Sequence, residues 1–207
     1  MKKTAVALVV AALGMIAGEA MAQQQSPWLV RVRAVNIDPA NKSDGGGPLG
    51  LPADAISVSS KVIPEVDISY FVTPNIAAEL ILTYPQEHDV SLAGTGKIGT
   101  FKHLPPTLTL QYHFTPEAKL SPYVGAGVNY TRISNVNLLN GAGDLDRNSF
   151  GLALQAGVDF KIDKNWSINL DVKKVQIRSD VNVTGVGKVS NVQVDPLLVG
   201  VGVGYRF

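Results

Sequence analysis

Apolar side chains recur at every second position through most of this chain, and that period leaves few folds open to it. Between Ser149 and Ile162, the residues Phe150, Leu152, Leu154, Ala156, Val158, Phe160 and Ile162 alternate with Ser149, Gly151, Ala153, Gln155, Gly157, Asp159 and Lys161. Leu108, Leu110, Tyr112 and Phe114 alternate in the same way with Thr107, Thr109, Gln111 and His113. So do Trp166, Ile168, Leu170 and Val172 with Ser167, Asn169, Asp171 and Lys173. Successive side chains on a strand point to opposite faces, so each segment is a strand with one apolar face and one small or polar face. The pattern predicts strands at 28–37, 58–71, 76–84, 106–114, 123–133, 149–162, 166–178 and 191–207.

The connections between these strands have a rhythm of their own. Thr73-Pro74-Asn75, the stretch from Thr115 to Pro122, and Asp163-Lys164-Asn165 are short. Asp38 to Ser57, Pro85 to Pro105, Ser134 to Asn148 and Ser179 to Ser190 are longer and rich in glycine, asparagine and aspartate. Strict alternation of short turns and long loops is the habit of a membrane-spanning barrel, and a soluble sandwich has no reason to show it. No apolar run after residue 22 reaches the ~18 residues of a helical span, so any crossing uses strands. The expected fold is all-β: an eight-stranded antiparallel transmembrane β-barrel over 23–207. Trp28, Tyr70, Phe114, Phe160, Trp166 and Tyr205 fall at the turn-side ends of the apolar faces, where an interfacial girdle belongs.

The N-terminus gives a destination. Lys2 and Lys3 precede an apolar stretch from Ala5 to Ala17, and Ala20-Met21-Ala22 has the small residues of a cleavage site, so 1–22 reads as a signal peptide. With strands as the spanning elements, the destination is the outer membrane of a Gram-negative bacterium. Long loops are expected to be extracellular and both termini periplasmic. The absence of cysteine excludes disulfides, thiolate metal sites and a cysteine nucleophile. A formal net charge of +1 without a basic tract gives no footprint for nucleic acid.

The chain also resembles the OmpW family of small outer-membrane barrels over its mature length. The resemblance rests on Thr73-Pro74-Asn75-Ile76-Ala77-Ala78-Glu79-Leu80, His103-Leu104-Pro105-Pro106-Thr107, Pro122-Tyr123-Val124-Gly125-Ala126-Gly127-Val128-Asn129-Tyr130 and Gly202-Val203-Gly204-Tyr205-Arg206-Phe207. It implies an eight-stranded barrel lying in outer-membrane lipid, with a narrow hydrophobic channel that passes small, mainly apolar molecules. The terminal Phe207 looks like the signal read by the outer-membrane assembly machinery.

The inward set carries its own information. Near the periplasmic side it holds Arg31, Arg33, Asp67, Glu79, Asp159, Lys161, Asp171, Lys173 and Arg206, with both signs interleaved. A lumen this narrow has room for little more than side chains, so these charges are expected to pair across it and plug it. Toward the loops the inward set becomes Val35, Ile37, Ile63, Ile81, Ile133, Val175, Ile177, Val194 and Leu198, with Leu29 and Lys61 breaking the gradient. Two readings follow: a chamber for a small hydrophobic ligand, or positions that pack together where the strands project beyond the membrane. A ligand stopped by the plug has to leave sideways. Pro105 and Pro106, lacking N–H donors, offer a lateral gap, as do Pro64 and Pro196; they also suit a plain strand start or bulge.

Chemistry of other kinds is thin. Glu87-His88-Asp89 and His103 share a loop, but their spacing matches no metal site, and solvated loop charge is the expectation. His113 reads as a lumen or interface hydrogen-bonder. Gly200, Gly202 and Gly204 lie in a terminal strand with no helix after it, and read as space for inward neighbours rather than a nucleotide loop. No serine and histidine share an inward level on the loop side, so no enzyme, metal or cofactor is expected. The function expected is uptake of small hydrophobic molecules with lateral exit. The alternative is a structural or receptor barrel acting through its loops.

Overall fold

The computed structural model describes residues 25–207, and the expected signal peptide lies outside them. The barrel strands are β1 (Trp28–Asp38), β2 (Lys61–Phe71), β3 (Ile76–Leu82), β4 (Thr107–His113), β5 (Leu120–Leu138), β6 (Asn148–Lys161), β7 (Trp166–Val175) and β8 (Leu197–Arg206). Each pairs antiparallel with the next, and β8 pairs with β1 from Leu29↔Arg206 to Asp38↔Leu197. The ring is therefore closed, and it leaves no sheet edge. Side chains hold the short turns: Thr73 Oγ1 accepts from the Ile76 N–H at 3.0 Å, and Asp163 Oδ1 from the N–H groups of Asn165 and Trp166 at 2.8 and 2.7 Å.

The two faces of the wall are reversed relative to a soluble protein. Leu110, Leu154, Leu170 and Val201 stand outside, each more than half exposed, while Arg31, Asp67, Glu79 and Asn169 are fully buried inside. An outer face this apolar and continuous is stable only against lipid. Aromatic rings rim it at the turn end, where Trp28 lies against Tyr70 at 4.8 Å and Trp166 against Tyr205 at 4.9 Å. Tyr130 and Phe150, cross-strand partners, rim it at the other end.

Beyond that second rim the structure departs from expectation. The long connections are largely paired strands rather than loops. Gln86–Leu92 and Gly96–Leu104 form a hairpin, the second arm of which lies along the upper part of β5 through His103↔Ile133 and Leu104↔Arg132. Arg178–Val183 and Gly187–Gln193 form another hairpin, flanked by Gly143–Leu145 and Lys42–Ser43. Ile56–Val58 pairs with the first hairpin, and Asn41 and Ser43 tie it to the second side: Asn41 Oδ1 accepts from the Val58 N–H at 2.7 Å and Ser43 Oγ from the Ile56 N–H at 3.1 Å. The result is a collar that prolongs the barrel above the membrane.

Inside the collar Ile56, Val58, Val90, Phe101, Leu138, Leu145, Val181, Val189 and Val192 join the inward residues of the upper barrel in one apolar cluster. Water, not lipid, surrounds the collar, so its apolar residues face in. Several expected strand limits move accordingly. The predicted 58–71 divides at Ser59-Ser60. The predicted 166–178 ends at Val175, and 191–207 breaks at Asp195-Pro196, where Asp195 has φ 27° and its carboxylate accepts from the Ile177 N–H.

Candidate functional site

The lumen is blocked at mid-height by an ionic network. From β1, the Arg31 guanidinium grips Asp159 of β6 with two parallel bonds, Nε to Oδ1 at 3.0 Å and Nη2 to Oδ2 at 2.6 Å. Its Nη1 reaches Glu79 of β3 at 2.8 Å and Asp67 of β2 at 3.3 Å. One level higher, Arg33 pairs with Glu65 at 3.0 Å and donates to Asn169 at 2.6 Å. Its Nη1 is also 2.8 Å from Asp67 Oδ2, close as a charge though not aligned as a hydrogen bond. Lys173 reaches Glu65 at 2.5 Å and Asp171 at 3.3 Å. Neutral groups fill the rest: the Tyr123 hydroxyl donates to Asp171 at 2.7 Å, and Gln155 Nε2 to Glu79 at 3.0 Å and Asp171 at 2.7 Å. Two forked arginines, each feeding several carboxylates, brace the strands from within.

Of the nine charged residues expected here, Arg31, Arg33, Asp67, Glu79, Asp159, Asp171 and Lys173 meet in this network. Lys161 and Arg206 do not. Both are only half-buried at the turn-end mouth, where Lys161 donates to the Pro116 carbonyl. Arg206 donates to the Ser26 carbonyl at 2.9 Å and lies 4.0 Å over the Phe71 ring. Glu65 was missed, although its place two residues from Asp67 on β2 gives it the same inward parity. Gly202 explains how the arginines fit: a Cβ there would sit 2.8 Å from Arg33 Cγ and 2.1 Å from the Val32 carbonyl oxygen. His113 is buried, stacked on Tyr123 at 4.9 Å and bonded to Gln111 at 3.2 Å.

Above the network lie two cavities. All nine apolar residues expected to line a chamber are buried. Ile37, Ile63, Ile81, Val175, Ile177 and Leu198 line a lower cavity that Glu65 and Lys173 floor, with a volume of about 30 Å³ open to the centre of a water-sized sphere. Ile133 and Val194 line an upper one of about 20 Å³ by the same measure inside the collar, with Phe101 and Val181. Val35 lines neither and is packed in the apolar cluster. Little of this space is wide enough for more than water.

The lower cavity reaches the wall at Leu82, Thr83 and Pro105. There the ladder is interrupted: β3–β4 pairing stops at Ile81↔Thr107, and β2–β3 pairing at Val66↔Leu82. The carbonyls of Pro105 and Pro106 instead accept from Asn129 Nδ2 at 3.2 Å each, and that of Pro106 from the Tyr130 N–H at 3.1 Å. Pro64 and Pro196 sit at lesser breaks, their carbonyls accepting from Thr83 Oγ1 and the Val175 N–H.

The loop histidines are not solvated. His88 and His103 are each 1% exposed, side by side in the collar with ring centroids 4.8 Å apart. Their exposed neighbours Glu87 and Asp89 point outward and pair with Lys102 and Lys97. Burial holds both imidazoles below their ordinary pKa, His103 down to about 3, with His88 and Lys61 adding to the effect on it. No group of three or more His, Cys, Asp or Glu placed to hold a metal occurs among the described residues.

A closed eight-stranded wall, apolar toward lipid and sealed by charge within, defines a small outer-membrane barrel. More narrowly, the sequence profile of the OmpW family matches residues 24–207, and the chain belongs to that family. It is 44% identical, over 92% of its length and 84% of the relative's, to the uncharacterized outer-membrane protein y4mB of Sinorhizobium fredii. It is 27% identical to the dibenzothiophene metabolism operon protein PahQ of Pseudomonas aeruginosa, over 89% of this chain and 90% of that one. Its fold superposes on the crystal structure of OprG from Pseudomonas aeruginosa with a TM-score of 0.77 and 27% identity, covering 89% of this chain and 97% of OprG. These relatives place the protein in the outer membrane of a Gram-negative bacterium.

Proposed function

We propose that this barrel takes up small apolar molecules, which enter through the collar, settle in the lower cavity and leave sideways into the membrane beside Pro105. The carrying observation is the lower cavity itself: apolar on its sides, floored by Glu65 and Lys173, and in contact with the interrupted wall at Leu82, Thr83 and Pro105. A solute that reaches it meets ion pairs below and a wall without continuous backbone bonds beside it. Because the cavities are tight, collar side chains have to shift to admit a solute. Dibenzothiophene, the compound in PahQ's name, is of the chemical class such a cavity suits.

The direct test is accumulation of radiolabelled dibenzothiophene by cells that make the barrel, against cells that do not. Ile81→Asp and Val175→Asp place a carboxylate on the cavity wall, where desolvating it costs well over ~1 kcal/mol, so uptake should fall at least about fivefold. The folded fraction, read from the heat-dependent shift on gels, should remain high. Unchanged uptake by folded variants would reduce the cavity to packing and favour a structural or receptor barrel acting through its collar.

This reading requires the collar to be extracellular and both termini periplasmic, with residues 1–22 as the export signal. The chain has no cysteine, so single cysteines report topology cleanly. Thr95→Cys, at an exposed collar tip, should react with a membrane-impermeant maleimide on intact cells, and Lys164→Cys, in a short turn, should not. The reverse result would invert the barrel. We assign Phe207 to recognition by the assembly machinery. Its support is position: the backbone N–H donates to Trp28, its carbonyl accepts from Ser26, and the ring meets Tyr205 at 5.0 Å on the closing strand.

A further inference from the structure

Most polar atoms in the lumen are matched, yet a group of buried ones in the collar is not. Gln86 Oε1, His88 Nε2 and both ring nitrogens of His103 find no hydrogen-bond partner among the described residues. They belong to one place. Gln86 and His103 are cross-strand partners in the first collar hairpin, His88 follows Gln86 on the same inward face, and all three side chains are at most 1% exposed. Leaving such groups unmatched costs roughly 1–3 kcal/mol apiece, so their grouping on one face of the hairpin marks a place for a polar partner.

Their chemistry defines what fits. His88 Nδ1 lies 2.7 Å from the Ser59 carbonyl oxygen, which only accepts; Nδ1 therefore carries the proton and Nε2 presents a lone pair. The Gln86 amide nitrogen donates to the Tyr84 carbonyl at 2.9 Å, leaving Oε1 as a second acceptor. His103, neutral in this setting, contributes one N–H and one lone pair. Three acceptors and one donor thus lie side by side on the inward face of the hairpin. A carboxylate would meet mostly lone pairs. A divalent metal or an ammonium would lie buried without an anionic partner, since Glu87 and Asp89 point outward and the nearby charge is that of Lys61. A neutral hydroxyl donates to one of these lone pairs and accepts from the His103 N–H, and it brings no charge into the site.

The location is a neck. His103 lines the lower cavity, whereas Phe101 and Ile133, the latter its cross-strand partner on β5, line the upper. His103 therefore stands between the two, with its ring 5.9 Å from that of Phe101. We propose that Gln86, His88 and His103 form a recognition point for a neutral hydroxyl group at this neck, so that the barrel selects hydroxyl-bearing apolar molecules such as phenols and long-chain alcohols over plain hydrocarbons. The proposal rests on the uptake reading above and names its substrate class.

Naphthalene and 1-naphthol differ by one hydroxyl and serve as probes, with the 15N-histidine-labelled barrel in lipid nanodiscs and empty nanodiscs to correct for partition. The expected result is 1-naphthol binding about tenfold tighter than naphthalene, the worth of one good buried hydrogen bond. The ring-nitrogen resonances of His88 and His103 should move with 1-naphthol and stay with naphthalene. His103→Phe should bring the ratio of the two affinities close to one; if that variant does not fold, the wild-type resonances decide. Equal binding of both probes would overturn the hydroxyl site and leave the uptake reading standing. Binding of neither would overturn both. Zinc added alone and shifting the same resonances at micromolar concentration would replace the proposal with a metal site.

Discussion

Arg31→Met is expected to destabilise the barrel by about 3–5 kcal/mol, the cost of stripping the partner from buried charge. Arg31 is fully buried and holds Asp67, Glu79 and Asp159 at once, so methionine fills the volume and leaves three carboxylates facing one another in a lumen closed to bulk water. Within the network the carboxylates Glu65, Asp67, Glu79, Asp159 and Asp171 already outnumber Arg33 and Lys173, which are the cations that remain. Arg31→Lys should recover only part of the loss, because an ammonium cannot make the two parallel bonds to Asp159. Adding Asp159→Asn to Arg31→Met should recover some as well, by removing one orphaned charge. Urea midpoints in lipid bilayers measure all three variants. An unchanged midpoint for Arg31→Met would show that the network fills the lumen without bracing it.

On the other face of the wall, Leu170→Arg should cost about 2–4 kcal/mol, the toll of placing a guanidinium against lipid near the midplane. Leu170 lies on β7 midway between the Trp166 ring at the turn end and Lys174 near the collar, paired with Val158 and Val201 and 54% exposed. At a site so exposed in a water-soluble protein, the same change usually lies within about 0.5 kcal/mol of neutral. The effect therefore reports the solvent as much as the protein. Folding yield into bilayers, read from the gel shift, should drop for Leu170→Arg. A harmless arginine there would remove the lipid-facing assignment of β7.

The wall was legible because lipid and lumen impose opposite demands on alternate residues. Phe150, Leu152 and Leu154 outside against Ala153 and Gln155 inside leave no second reading, and the strands built on such runs lie within a few residues of expectation. The collar was not legible, and the reason is physical. Above the Tyr130–Phe150 rim the outer solvent becomes water, so the pattern inverts: Glu87, Asp89 and Ser91 face out while Gln86, His88 and Val90 face in. Bulges at Val90/Ser91 and Val181/Asn182 then break the phase. A strand read for outward apolar residues disappears at that border and looks like polar loop. The charged network was largely legible from parity alone, yet parity does not reveal depth. Lys161 and Arg206 share the inward face but sit at the mouth, while Glu65, between apolar Ile63 and Asp67, lies in the network itself. The burial of His88 and His103 depends on the hairpin folding back along β5, and no local signal announces that.

Pairing of β1 with β8 joins the first strand of the barrel to the last. Until the final residues are delivered, the strands already made have two open edges and an uncovered row of apolar side chains, and no intermediate ring can hide them. Closure is therefore expected to come late and to need both ends of the barrel at once, and a copy truncated within β8 is expected to be not a weaker barrel but an unfinished one, an open sheet with two bare edges.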